Sequence, residues 1–172
     1  MDRRSGSHAE LFFHFVWSTK HRAPLIDAEI EDGLKAVLFS KAEEVGIQIV
    51  EANGTEDHIH VLIKSKPTLA PADIAKNLKG ASSHFVNHVV LGEDRIRSLY
   101  WQDGYGVVSV SPAAVHSVRE YIRNQKRHHA AKKLVEEFEI ASHPIENHDE
   151  FQDETRRVWI HKEPSDLSDG EA

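Results

Sequence analysis

Cysteine is absent from the chain, which excludes a disulfide framework, a thiolate zinc site and a cysteine nucleophile. No run approaches the ~18 apolar residues of a membrane span, and the N-terminal MDRRSGSHAE lacks the apolar core of a signal peptide. The expectation is therefore a soluble, cytoplasmic protein with no membrane partner. At 172 residues the chain is too short for a TIM barrel, which needs roughly 250, so the barrel metallohydrolases that also carry H-x-H strands fall away. It is long enough to bury the core of one domain. A phosphate-cradling loop is missing too. Asp103-Gly104-Tyr105-Gly106 has neither the lysine nor the spacing of a P-loop, so no nucleotide cofactor is expected.

The charge that is present is unevenly spread. The formal net charge is −7, but residues 136–172 hold 12 acidic and 3 basic side chains, a net of −9. The preceding residues hold 18 basic and 16 acidic, a net of +2. A body near neutrality with local basic clusters can take a phosphate-bearing ligand, although it is not a strongly basic binder of the repressor kind. The acidic stretch reads as a solvated extension. This divides the chain into a domain over 8–135 and an acidic C-terminal extension over 136–172.

Hydrophobic periodicity orders the elements. Leu11 to Ser18 (LFFHFVWS) reads as a strand and Asp27 to Val45 as a helix, with Asp27 as its N-cap and Gly46 at its end. Ile47 to Glu51 and His58 to Ile63 read as strands paired through a loop at Asn53-Gly54. Ala72 to Leu91 reads as a second helix and Val107 to Val110 as a strand. Ser111-Pro112 opens a last helix running to about Glu137. Thr155 to His161 is a candidate short strand or turn. The order matches an α+β, ferredoxin-like (split βαβ) plan: an antiparallel sheet with helices on one face, plus an additional C-terminal helix. That plan selects no function by itself.

Within this frame, His58 and His60 lie two apart on a strand and so share one face, with Ile59 on the other. Two imidazoles side by side are half of a divalent metal site, although a chain with 13 histidines also produces such a pair by chance. On the last helix Tyr121 and Gln125 are one turn apart on one face, with Ser117 a turn before them. Read alone, that pair also fits a core-edge tyrosine and a solvated glutamine. Arg119, Arg123, Lys126 and Arg127, followed by His128-His129, give that helix a basic face. It suits a phosphodiester or, equally, an ordinary solvated surface with ion pairs to Glu120.

Three blocks carry a resemblance: HFVWSTKHRAPLI, DHIHVLIKSKPTLAPADIAKNLKGASSHF and WQDGYGVVSVSPAAVHSVREYIRNQKRHH. Over roughly residues 8 to 130 and in this order, they resemble the HUH single-tyrosine transposases of bacterial insertion sequences and their relatives associated with repetitive extragenic palindromes. The resemblance implies a ferredoxin-like core, a homodimer, and cleavage and rejoining of single-stranded DNA flanked by imperfect hairpins in the bacterial cytoplasm. It makes Tyr121 the nucleophile that forms a 5′-phosphotyrosine, and His58, His60 and Gln125 the ligands of a Mg²⁺ or Mn²⁺ ion. Two imidazoles lean that site toward manganese.

A metal so held would polarise the scissile phosphate and stabilise the leaving oxygen, and the covalent link conserves the bond energy without ATP. Lys20, Arg22, Lys76 and Lys79, with Arg123, Lys126 and Arg127, are candidate contacts to the DNA backbone. Trp17, Tyr100, Trp101 and Tyr105 are candidate stacking platforms for unpaired bases. Two rival readings stand beside this one. The first is a domesticated, non-catalytic binder of single strands or hairpins, which needs neither Tyr121 nor Gln125. The second is a ferredoxin-like ligand sensor with incidental histidines, which leaves the basic loop at Lys20 to Arg22 without a purpose.

Overall fold

Alternation along LFFHFVWS sends Phe13, Phe15 and Trp17 to one side of strand β1 (Leu11–Ser18) and His14, Val16 and Ser18 to the other. The computed structural model, which describes residues 8–92, 98–131 and 139, builds outward from this strand. Asp27 caps helix α1 (Ala28–Val45), accepting from the Ile30 amide at 3.0 Å, and Gly46 closes it in the left-handed conformation at φ 73°. Strands β2 (Gln48–Gly54) and β3 (His58–Ser65) follow, then helix α2 (Pro71–Phe85), whose last turn widens into a π-helix over Val86–Val90. Strand β4 (Gly106–Val110) precedes a 3₁₀ turn, helix α3 (Val115–Arg123) and the short helix α4 (Gln125–Ala130).

The sheet runs β2-β3-β1-β4 with every neighbouring pair antiparallel. This is the ferredoxin-like order expected from the element sequence. Helices α1 and α2 cover one face. Ile30, Leu34, Leu38, Ile74 and Leu78 pack there against Phe15, Trp17, Ile59, Val61 and Ile63. Helix α3 lies on the opposite face over a smaller cluster of Leu62, Val110, Val118, Tyr121 and Ile122. No helix among the described residues is long and apolar enough to cross a membrane.

Three expectations are revised. Asn53-Gly54 is not the turn; both residues end β2, and Thr55 to Asp57 reverse the chain, with the Thr55 amide donating to the His58 carbonyl at 3.0 Å. The Asn53 amide is used elsewhere, donating to the carbonyls of Ile122 at 3.1 Å and Arg123 at 3.0 Å. Gly54 answers to close approach, since a Cβ there would fall 2.1 Å from the His58 carbonyl oxygen. The last helix is not continuous from Pro112. It breaks at Asn124 (φ −96°, ψ 13°), whose side chain donates to the Glu120 carbonyl at 2.8 Å. Ser111 precedes the 3₁₀ turn without a side-chain cap. The expected helix end at Glu137 and the element over 155–161 lie outside the described residues.

Candidate active site

Strand register builds the site. His58 and His60 point to the α3 side of β3, with Leu62 next on that face. In the ladder to β1, His58 lies opposite Ser18, His60 opposite Val16 and Leu62 opposite His14. His14 thereby sits diagonal to His60. Their rings stack at 5.1 Å, and His14 Nε2 and His60 Nδ1 share a hydrogen bond of 3.0 Å. All three histidines are buried.

Each ring is oriented by what its far nitrogen meets. His58 Nδ1 donates to Asp57 Oδ1 at 2.6 Å and lies 2.8 Å from Thr55 Oγ1. A proton fixed on Nδ1 leaves the Nε2 lone pair facing inward, the arrangement of a metal-ligating histidine. Burial alone would raise the Asp57 pKa. The His58 hydrogen bond and charge, with Arg22 and Thr55, outweigh it and hold the carboxyl far below its usual range. Arg22 Nε closes the chain of contacts on Asp57 Oδ2 at 2.9 Å. Arg22 belongs to a loop in which His21 (φ 58°) and Arg22 (φ 52°) are both left-handed, a conformation costly for such side chains. Burial lowers His14 to about 4, partly opposed by Glu139, and burial with the neighbouring histidines puts His60 well below its usual value. Both rings are neutral at pH 7, as metal ligation and imidazole hydrogen bonding require.

Helices α3 and α4 bring the second half. Tyr121 is buried, edge-on to His60 at 6.2 Å and stacked with His128 at 4.9 Å. Gln125 opens α4 fully buried, with Nε2 against His60 Nε2 and donating to Glu139 Oε1 at 2.9 Å. Tyr121 and Gln125 thus reach the histidines of their own chain. Glu139, from beyond α4, was not anticipated. It is buried, and its Oε1 accepts from the Tyr121 hydroxyl at 2.6 Å.

A divalent ion fits this donor set on one observation. His58 Nε2 and Gln125 Oε1 are fully buried yet make no hydrogen bond, an arrangement that costs free energy unless another partner takes them up. The buried cluster of His58, His60 and Glu139 can bind such a metal, with ligand atoms within 4.8 Å of one another.

The candidate DNA contacts spread around this centre. Lys20 and Lys76 are exposed. Arg22 is paired to Asp57, and Lys79 donates to the carbonyls of Gln102 at 2.8 Å and Gly104 at 2.5 Å. Arg123 is paired to Glu51 and Glu120, Lys126 to Glu31, and exposed Arg127 reaches Asn124 at 3.4 Å. Among the stacking candidates, Trp17 is a core residue, 1% exposed and edge-on to Trp101 at 6.0 Å, so its ring is not available to a base. Tyr100 is exposed; Trp101 and Tyr105 are half-buried. Sequence reasoning passed over His14, Thr55 and Asp57. His14 carried a signal, since its parity in the first strand puts it opposite the Phe15 and Trp17 face.

A family model described as "Transposase IS200 like" matches residues 7–125. The chain is 31% identical over 127 residues to the ISDra2 transposase TnpA of Deinococcus radiodurans, spanning 73% of this chain and 91% of that one. It is 26% identical over 116 residues to the transposase for insertion sequence element IS200 of Salmonella typhimurium, spanning 66% and 75%. Among solved structures, a protein of Deinococcus radiodurans R1 taken to be a transposase superposes with a TM-score of 0.55 at 31% identity, covering 73% of this chain and 98% of that one. A REP-associated tyrosine transposase bound to a REP hairpin superposes with a TM-score of 0.53 over 79% of this chain and 77% of that one. At 10% identity it speaks for the fold alone.

Proposed function

The chain belongs to the IS200-like transposase family of single-tyrosine enzymes, a DNA-cleaving family, and from that membership we propose its reaction. It cleaves and rejoins single-stranded DNA at hairpin-flanked ends through a 5′-phosphotyrosine. The carrying observation is that Tyr121 and Gln125 converge on His60 beside His58 Nε2 and Gln125 Oε1, two buried atoms that make no hydrogen bond. Held by His58, His60 and Gln125, Mg²⁺ or Mn²⁺ would supply charge neutralisation at the scissile phosphate. Tyr121 Oη loses its proton and attacks phosphorus. The P–O3′ bond breaks, and the departing oxygen takes up a proton to become a free 3′-OH. Asp57 holds the His58 ring in register, and burial by α3 keeps water from the phosphotyrosine.

In this reading residues 8–135 form the catalytic domain and the homodimer acts in the bacterial cytoplasm. The closeness of Tyr121 and His60 within one chain favours a site assembled in cis. Lys20, Lys76 and Arg127, being exposed, are the strongest candidates for first contact with the DNA backbone. Arg22, Lys79, Arg123 and Lys126 join by exchanging their present partners.

The test is covalent trapping. The protein is incubated with single strands from the ends of its own gene and Mn²⁺ or Mg²⁺, then run on a denaturing gel. A metal-dependent adduct is expected, absent in Tyr121→Phe and at least 10²-fold weaker in His58→Ala. A hairpin-specific native gel shift with no adduct would instead support a non-catalytic binding module.

A further inference from the structure

Glu139 divides its two oxygens between different groups. Oε1 accepts from the Tyr121 hydroxyl at 2.6 Å and from Gln125 Nε2 at 2.9 Å, and lies 3.6 Å from His60 Nε2. Oε2 faces the other way, 3.8 Å from His58 Nε2 and 3.8 Å from His129 Nε2. Those distances are too long for hydrogen bonds but suit groups that surround a common centre. His58 Nε2, His129 Nε2 and Gln125 Oε1 are all buried around this carboxylate without a hydrogen bond. Unpartnered lone pairs beside a buried carboxylate call for a cation.

We propose that Glu139 is a bridging residue, with Oε2 a ligand of the divalent ion and Oε1 the group that positions the Tyr121 hydroxyl. The inference rests on the metal-dependent reading above and adds a ligand to it. It makes the donor set two imidazoles, an amide oxygen and a carboxylate, with His129 close enough to join. Gln125 Nε2 lies against both Glu139 Oε1 and His60 Nε2, so its amide turns over to offer its own unpartnered Oε1 to an ion held by His60. Loading of the ion and aim of the nucleophile then depend on one side chain. The carboxylate also bears on metal choice. Magnesium relies on anionic oxygen ligands, whereas manganese also bonds well to imidazole. Loss of the carboxylate therefore harms Mg²⁺ binding more than Mn²⁺ binding.

The experiment is calorimetric titration of the full, chelator-stripped chain with Mn²⁺ and with Mg²⁺. It compares wild type, Glu139→Gln, Tyr121→Phe and His58→Ala, with far-UV circular dichroism to check each fold. Glu139→Gln should weaken Mn²⁺ binding at least about 10-fold and Mg²⁺ binding more. Tyr121→Phe, which removes the hydroxyl that donates to Oε1 and leaves Oε2 in place, should stay within about threefold of wild type. Folded Glu139→Gln binding Mn²⁺ as wild type does would overturn the proposal, with the ion assigned to His58, His60 and Gln125 alone. So would a loss in Tyr121→Phe equal to that in Glu139→Gln, which would mark a structural hydrogen bond. A Glu139→Gln chain that fails to fold hands the decision to Glu139→Ala, whose wild-type Mn²⁺ affinity would equally overturn it. If wild type binds no ion, or His58→Ala binds it unchanged, the metal-dependent reading itself fails.

Discussion

Asp57 spends one oxygen on His58 and the other on Arg22, so the exposed basic loop and a buried metal-ligand candidate meet through a single carboxylate. The pair with Arg22 is substantially exposed and adds little to stability. The bond to His58 sets a tautomer. Asp57→Asn should therefore weaken Mn²⁺ binding about 10- to 100-fold and also lower the melting temperature, since a carboxylate held far below its usual range stabilises the fold at pH 7, measured by calorimetry and thermal unfolding. What could be read at this scale followed from local geometry. His58 with His60, and Tyr121 with Gln125, are face-sharing pairs at fixed spacings, and spacing survives in a one-dimensional text. His14 joins them through strand register, which depends on pairing between segments far apart in the chain. Glu139 stands among other carboxylates, and no spacing marks one of them as the buried one.

Elements show how the site is braced. Asn53 ties the end of β2 to the C-terminus of α3 by donating to two carbonyls that a helix end leaves open. Asn53→Ala should cost about 1–2 kcal/mol in urea unfolding and shift Tyr121 relative to His60, lowering adduct formation. Gly54→Ala should cost roughly 1–3 kcal/mol, because the obstacle is the His58 backbone rather than a flexible side chain. It should also weaken Mn²⁺ binding, since the displaced residue is a proposed ligand. The Asn-Gly pair reads as a turn because its local chemistry favours one. Tertiary demand prevailed, with Asn53 recruited to α3 and Gly54 to a close strand crossing. The ends of α1 were legible because Asp27 and Gly46 satisfy backbone groups of the helix they adjoin. The break at Asn124 was not, because YIRNQKRHH keeps a helical pattern across it.

For the whole molecule, the sheet separates an apolar layer under α1 and α2 from a face that buries three histidines. That face makes stability pH-dependent. Unfolded, His14 takes up its proton near 6.5; folded, only near 4. Between those values the unfolded chain binds more protons, so stability drops as pH falls through that window. In metal-free protein His14 should cost about 2 kcal/mol between pH 7 and pH 5, with His60 acting in the same direction. Urea titrations at both values test this, and His14→Gln should flatten the slope. The sheet order was foreseeable because strand, helix, strand, strand, helix, strand leaves few ways to bury both helices. That α3 takes the second face was not, since its apolar residues are few.

Those few residues carry a consequence for motion. Helix α3 is moored to the sheet by Leu62, Val110, Val118, Ile122 and the ring of Tyr121 itself. The proposed nucleophile is thus part of its own anchorage, and the swing of the phenol toward DNA that the proposed reaction needs withdraws one of the contacts that hold its helix. Such an element opens at a small fraction of the global unfolding free energy. Amide hydrogens of α3 should exchange with solvent well before those of β1 and β3, and a Tyr121→Ala chain should widen that gap.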